Sequence, residues 1–402
     1  MSLSGLRPIE TLGLAVSGGS DSMALLHLAT RIARHEGWNV DVVTVDHRLR
    51  PQAADEAAFV AQTCATLGWP HKSLAWNHDA IVGNLMDQAR QARRALIADW
   101  AGSRNIRLVA FGHTADDQAE TVLMGLARKA GLDGLTGMRS TWRQDGVVYT
   151  RPLLDVTRAD LQTYLLRHGL SWRNDPTNED DRYTRIKARR ALAELTPLGI
   201  TAAGLARVAD NLDYARSALT RYVADVAKAI VREGAGALEM DRGAFLAAPF
   251  EVQRRLMIAA LRWMSGASYP PRETGLNRLQ LAILLKGTAM LSGCRLRVDD
   301  TSIRLTREPR AVVTLSTPTD TPWDNRWHLS GPHAPDLTIR ALGADGLRAC
   351  KDWRATGLPR EVLIVTPGVW CGDTLVAAPL AGWPQGWTAT VSPSFPATIL
   401  AH

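Results

Sequence analysis

Between the apolar run Leu12 to Val16 and a segment of helical periodicity stands Ser17-Gly-Gly-Ser-Asp-Ser22, residue types suited to holding an anion. A glycine pair after a strand lets the backbone fold tightly and aim successive N–H groups at one spot, and the helix that follows adds its positive N-terminal end. Phosphate oxygens fit such a nest, with Gly18 and Gly19 supplying backbone donors and Ser17, Ser20 and Ser22 adding hydroxyls. No lysine follows the glycines, so this is not the G-x-x-x-x-G-K-S/T loop. Asp21 would repel phosphate unless a cation lay between them, which implies Mg²⁺ held between its carboxylate and a polyphosphate. The plainer alternative is a strand-to-helix turn with Ser20 or Asp21 as N-cap.

A second cluster lies in GHTADDQAET, Gly112 to Thr121. A helix beginning near Ala115 sets Asp116 with Glu120, and Asp117 with Thr121, four residues apart, so carboxylates and a hydroxyl project from adjoining faces of its first turns. Thr114 to Asp117 equally fits a capping box, and an acidic first turn complements the helix dipole. Beside a phosphate loop, clustered acids suit Mg²⁺ or a cationic substrate, with Asp21 and Asp117 as the expected metal holders. VDHRLRPQAADEA, Val45 to Ala57, places Asp46, His47 and Arg48 at a strand's carboxyl end, near the nucleotide or in a solvated loop. RYTRIKARR, Arg182 to Arg190, packs five cations into nine residues.

These residues need a frame that brings them together. Short β-rich runs recur at Leu12 to Val16, Val40 to Val45, Lys72 to Trp76 and Ile106 to Phe111, each followed by helical periodicity, at a spacing of roughly 30 residues that suits β-α units. The fold class predicted is α/β, a doubly wound, mainly parallel sheet over residues 1–195. Ligands of such sheets bind beyond the carboxyl ends of the strands, so the loops after Val16, Val45 and Phe111 should converge on one crevice. Ala202 to Lys286 reads as helices, broken at SGASYPP, giving a helical domain over 196–292. Alternation in CRLRVDDTSIRLTREPRAVV predicts two strands around Asp299-Asp300 and a small β-containing domain over 293–402.

The chain has 402 residues, enough for two or three domains, and its apolar fraction of 46% and charged fraction of 22% are those of an ordinary soluble protein. No run approaches the ~18 apolar residues of a membrane span, and MSLSGLRPIE lacks a signal peptide's pattern, so a cytoplasmic protein without membrane contact is expected. Cys64, Cys294, Cys350 and Cys371 form no C-x-x-C pair, which argues against a zinc or iron–sulfur site and for four isolated buried thiols. A net charge of +7 suits a polyanionic partner. Nothing in the pattern bears on oligomeric state.

S-G-G-x-D-S after a strand resembles the PP-loop of the N-type ATP pyrophosphatases, which split ATP between the α and β phosphates. SGGSDS, VDHRLR, ARQARR, GHTADDQAET with GLDGLTGM, RPLL and WRNDPTN before a basic stretch together resemble the bacterial tRNA(Ile)-lysidine synthetases, over roughly Leu12 to Leu195. The resemblance implies that ATP activates the wobble cytidine of an isoleucine tRNA with a CAU anticodon, and that free L-lysine then replaces the C2 oxygen. Asp117 would bind the lysine ammonium and take its proton, with Asp116 and Glu120 assisting or holding metal. Arg90 and Arg93 match the family's A-R-x-x-R and would reach the α-phosphate or the tRNA backbone; His113 would contact the adenylate or serve as a structural histidine. Trp172, Asp175 and Asn178 sit in the loop before a cationic helix whose Arg182, Arg185, Lys187, Arg189 and Arg190 would hold tRNA phosphates. Arg94 stands where the family has an aromatic, and Ile186 and Ala188 replace the Asn and Ile of its R-N-x-I-R. A tRNA 2-thiocytidine synthetase is the nearest rival, though it would carry C-x-x-C pairs; a GMP synthetase-like ligase and a non-catalytic RNA-binding protein stand further off.

Overall fold

The computed structural model describes residues 11–46, 53–76, 85–173, 184–267 and 269–401. The chain divides into two compact units, residues 1–216 and 217–402. In the first, β1 (Thr11–Ala15), α1 (Ser20–Glu36), β2 (Asn39–Asp46), α2 (Ala53–Leu67), β3 (His71–Ala75), α3 (Leu85–Ser103), β4 (Leu108–Phe111) and α4 (Ala115–Ala127) alternate as the sequence rhythm requires. After the short α5 (Leu132–Leu135) come β5 (Thr141–Gln144), β6 (Val147–Thr150), α6 (Arg158–Arg167) and α7 (Thr184–Leu195).

The strands form one sheet in the order β3-β2-β1-β4-β6-β5, parallel except where β5 runs antiparallel to β6. The chain winds outward in one direction from β1 and in the other from β4, so the carboxyl ends of these two neighbours flank the switch point where such sheets bind ligands. Both central strands are buried because helices cover both faces: Leu12, Leu14 and Val42 join Met23, Leu26, Ala29 and Ala33 of α1 in one core, while Val43, Val109 and Phe111 pack with Ile97 and Trp100 of α3 in another. The three- and four-residue spacing of the buried α1 residues is the reason that segment is a helix. Gly37, at φ 72°, ends it with its N–H on the Ala33 carbonyl. The β5–β6 hairpin was not expected from the sequence, although Asp145-Gly146 between its strands, at φ 50° and 78°, is the two-residue turn such hairpins favour.

In the second unit the structure departs from the expected boundaries. Helix α8 (Ala202–Ile230) crosses from one unit to the other, and a hairpin, β7 (Val231–Gly234) and β8 (Ala237–Asp241), interrupts the segment read as helices alone. Then come α9 (Arg242–Ala247), α10 (Phe250–Ser265), α11 (Glu273–Leu284), β9 (Thr288–Leu291), β10 (Cys294–Val298) and β11 (Ser302–Arg307). The sheet order is β7-β8-β11-β10-β9, antiparallel throughout, so the expected division at 292/293 would run between strands of one sheet. A lone hairpin is marginal in water; Leu238 and Met240 of β8 instead share a core with Val252 and Leu256 of α10 and with Leu296 and Ile303.

The two strands expected around Asp299-Asp300 are β10 and β11. Beyond them, β12 (Ser316–Pro318), β13 (Trp327–Ser330), β14 (Leu337–Ala341), β15 (Pro367–Cys371), β16 (Thr374–Ala377) and β17 (Thr388–Val391) build a sheet β12-β14-β15-β16 and a pair β13-β17 around Trp323, Trp327, Val369 and Trp387. Cys64, Cys294 and Cys350 are buried as expected, but Cys371 is exposed at the end of β15 and its thiol lies against Asp336. Among the described residues, no helix is long and apolar enough to cross a membrane.

Candidate active site

The nest forms as its residue types require. Gly18 takes φ +88°, a conformation that a side chain would strain, and Gly19 opens α1 without a side-chain cap, so the first amides of the helix face outward from the end of β1. Ser17 is exposed there. Ser20 and Ser22 behave otherwise than expected: the Ser20 hydroxyl donates to Asp21 Oδ1 at 2.9 Å, and the Ser22 hydroxyl donates to the Gly19 carbonyl at 3.0 Å while accepting from the Ser17 amide at 3.1 Å. Both brace the loop. The Gly18 carbonyl is occupied by the Arg173 amide at 2.9 Å, which ties the chain after α6 to the same corner.

Gly112 brings the second cluster to the first. A Cβ built on it would lie 2.9 Å from Ser22 Cα and 3.0 Å from the Asp21 carbonyl, so the exit of β4 abuts the first turn of α1 only because position 112 has no side chain. Three residues of GHTADDQAET then settle α4. Asp117 Oδ2 accepts from the Thr114 amide at 2.9 Å and from the Thr114 hydroxyl at 3.2 Å, closing the capping box. Asp116 Oδ2 accepts from the Arg158 amide at 2.7 Å, holding the start of α6 against α4. Gln118, through both ends of its amide, grips the Met138 backbone and fixes the GLDGLTGM segment.

Asp117 Oδ1 and Asp21 Oδ2 face one cation that the sequence reading overlooked. Arg158 donates from Nε to Asp21 Oδ2 at 2.9 Å and brings a terminal nitrogen to 3.8 Å from Asp117 Oδ1. Burial raises the Asp21 carboxyl above its ordinary range, against the pull of Arg158. Glu120, one turn on, is buried to 1% side-chain exposure; its Oε1 takes Arg189 at 2.9 Å, and its Oε2 has no hydrogen-bond partner among the described residues. Burial raises its pKa as well. Arg189, expected on tRNA phosphate, is therefore engaged inward.

Opposite the acids is a cationic and aromatic wall. His113 Nδ1 accepts from Arg151 Nε at 3.2 Å, which leaves the ring proton on Nε2. Burial, with Arg151, Arg93 and Arg185 behind it, pushes the imidazole down to about 3, so His113 is a neutral donor rather than a base. Arg93 of α3 lies 5.3 Å over the Phe111 ring and Arg151 4.1 Å over Trp142, which stacks on Phe111 and Tyr149. Burial and the neighbouring Arg90, Arg94 and Arg185 all depress Arg93, so the wall is short of anions. Arg90 is exposed on the same helix, as are Lys187 and Arg190 on α7. Asp46 closes β2, its carbonyl accepting from the Trp76 amide. His47, Arg48, Asp175, Asn178 and Arg182 lie outside the described residues.

A family model described as a PP-loop domain matches residues 4–196. A tRNA(Ile)-lysidine synthase of Ruegeria pomeroyi is 46% identical over 399 residues, covering 98% of this chain and 95% of that one. The chain belongs to the tRNA(Ile)-lysidine synthase family. Lysidine synthases of Bradyrhizobium diazoefficiens (39% identical, covering 69% of this chain and 79% of that one) and of Wolbachia pipientis wMel (33%, covering 79% and 76%) are similar too. Against this family background the described residues form no group of three His, Cys, Asp or Glu side chains fit to hold a metal alone. Two carboxylates beside a glycine turn and a helix N-terminus are nonetheless a donor set that would fit Mg²⁺ if substrate phosphates completed its shell. Of the residues to which sequence reasoning gave no role, Arg158 is joined to the site by folding alone; a signal existed for Arg151, which opens the RPLL motif, and for Gly112, whose place between a strand and a helix start marks a close approach.

Proposed function

We infer that this chain ligates free L-lysine to C2 of the wobble cytidine of tRNA(Ile) bearing a CAU anticodon, converting ATP to AMP and pyrophosphate through an adenylated cytidine. The match over nearly the whole length of a lysidine synthase carries the reading, and the geometry supports a division of labour. The C2 oxygen of cytosine leaves poorly until it is adenylated. The amides of Gly18, Gly19 and the first turn of α1 receive the departing pyrophosphate, because oriented N–H dipoles need no rearrangement as charge grows. Mg²⁺ would be held by Asp21 and Asp117, and there it would neutralise charge on the phosphates. Arg93 and Arg185 hold the anionic α-phosphate or the RNA backbone, and the Nε2 proton of His113 donates to the adenylate.

Lysine arrives as an ammonium and cannot attack until it loses a proton. Glu120 Oε2, unpartnered among the described residues, and Asp117 Oδ1, once pyrophosphate and its counter-cation have departed, are the acceptors for it. A buried carboxylate oxygen without a donor is costly, and the ammonium supplies one. Asp117 takes the proton, Asp116 keeps α6 in place, and Arg189 orients Glu120. The exposed Arg90, Lys187 and Arg190 steer tRNA electrostatically. Substrates of this kind place the work in the cytoplasm. Protein incubated with ATP, Mg²⁺, labelled lysine and the CAU isoleucine transcript should label that RNA and leave the CAU methionine transcript unlabelled. No label on the first, or equal label on both, overturns the reading.

A further inference from the structure

Arg158 is held in an unusual manner for a residue between two acids. Its backbone is fixed: the amide sits on Asp116, the Val156 carbonyl accepts from the Ala115 amide at 2.9 Å, and Thr157 caps α6 by accepting from the Asp160 amide. Its side chain is held loosely. The contact to Asp21 is a single hydrogen bond at 2.9 Å and that to Asp117 is 3.8 Å long, rather than the two-pronged fork that guanidinium and carboxylate make when the pair is a permanent one. Ser20 occupies Asp21 Oδ1 and Thr114 occupies Asp117 Oδ2. The other oxygen of each acid faces the guanidinium.

A divalent cation bridging Asp21 and Asp117 would need these same two oxygens. We propose that Arg158 competes with the metal for them, so that a divalent cation enters this site only with a nucleotide whose phosphates draw the guanidinium away. Two negative charges against one positive leave capacity for further positive charge, and a phosphate offers the freed guanidinium a bidentate anion next to the nest. Arg158 is thus a positioning residue that couples metal entry to nucleotide entry. The proposal rests on the functional reading only for the identity of the nucleotide; the competition itself is a property of the nucleotide-free protein.

The test counts Mn²⁺ bound to nucleotide-free protein by electron paramagnetic resonance. Wild type should bind weakly and Arg158→Gln about tenfold or more tightly, the equivalent of one charged hydrogen bond. Adding Asp21→Asn to that variant should abolish the gain. In wild type, ATP should tighten Mn²⁺ binding, and in Arg158→Gln it should tighten it less. Arg158→Lys, which keeps the charge but cannot span both acids, should lie between, and it decides the matter if the glutamine variant does not fold. Equal Mn²⁺ affinity in wild type and variant overturns the proposal. A tightened variant whose wild type fails to incorporate lysine would instead sink the functional reading and leave the competition standing.

Discussion

Each unit of the molecule buries arginine against aspartate, and the two clusters are built differently. In the second unit Arg307 grips Asp324 with both prongs, Nε at 2.9 Å and a terminal nitrogen at 2.7 Å, and places its remaining nitrogen on the Gly293 carbonyl. Arg326, 6% exposed, puts one nitrogen on the Gly236 carbonyl and lies over the rings of Trp263 and Trp327. Cations outnumber acids there, and carbonyls and ring faces absorb the excess, so the cluster ties β11 to the strand pair β13-β17. In the first unit acids outnumber the cation between them, the contacts are single or long, and Glu120 keeps a bare oxygen. A buried ion cluster whose capacity is consumed holds a fold together; one left partly unsatisfied can receive a ligand.

Substitutions on each side should break this contrast in different observables. Asp117→Asn should lower lysine incorporation about 10²–10⁴-fold, as expected for a lost proton acceptor, with little change in melting temperature because an amide oxygen still accepts from Thr114. Steady-state assays beside thermal melts check both halves. Asp324→Ala should act the other way, destabilising the protein by about 3–5 kcal/mol in denaturant unfolding because two buried guanidinium groups lose their counter-charge. A variant that instead kept its stability and lost activity would erase the contrast.

Smaller effects sharpen it. Glu120→Gln should raise KM for lysine about tenfold or more and leave KM for ATP unchanged, since an ammonium loses a charged acceptor. The neutral His113 should make the fold acid-sensitive. Its pKa falls from 6.5 unfolded to about 3 folded, so between these values the unfolded chain binds the extra proton and stability declines as pH falls through that window. His113→Gln should remove a slope of at most ~1.4 kcal/mol per pH unit there, measured by unfolding at several pH values. Lys187→Ala, on an exposed face, should weaken tRNA binding only a few-fold and reduce the salt slope by about 1.

Much of the site was legible because its parts are local. Ser17 to Ser22 announce a tight anion corner through two glycines and a helix start, and Thr114 to Asp117 announce a capped acidic helix. Of the two alternatives weighed for Asp117, the cap is the one the structure shows, through Oδ2, while Oδ1 is left facing Arg158. Arg189 misled for a physical reason: a basic run looks solvated until a neighbouring helix offers a buried acid, here Glu120, 69 residues away. The β7–β8 hairpin was hidden in a helical stretch because its strands are four and five residues long and only β8 is buried, beside β11, far along the chain.

By itself the sequence determined the β-α alternation, the glycine corner before α1 and the acids of α4, because each depends on residues within a turn or two of one another. Only the tertiary structure decided that Gly112 must seat β4 against α1, that the neutral His113 leans on Arg151, and that Arg158 reaches across 137 positions to Asp21. Side-chain pairing at that separation is set by which helix covers which strand end, and packing, not spacing, makes that choice.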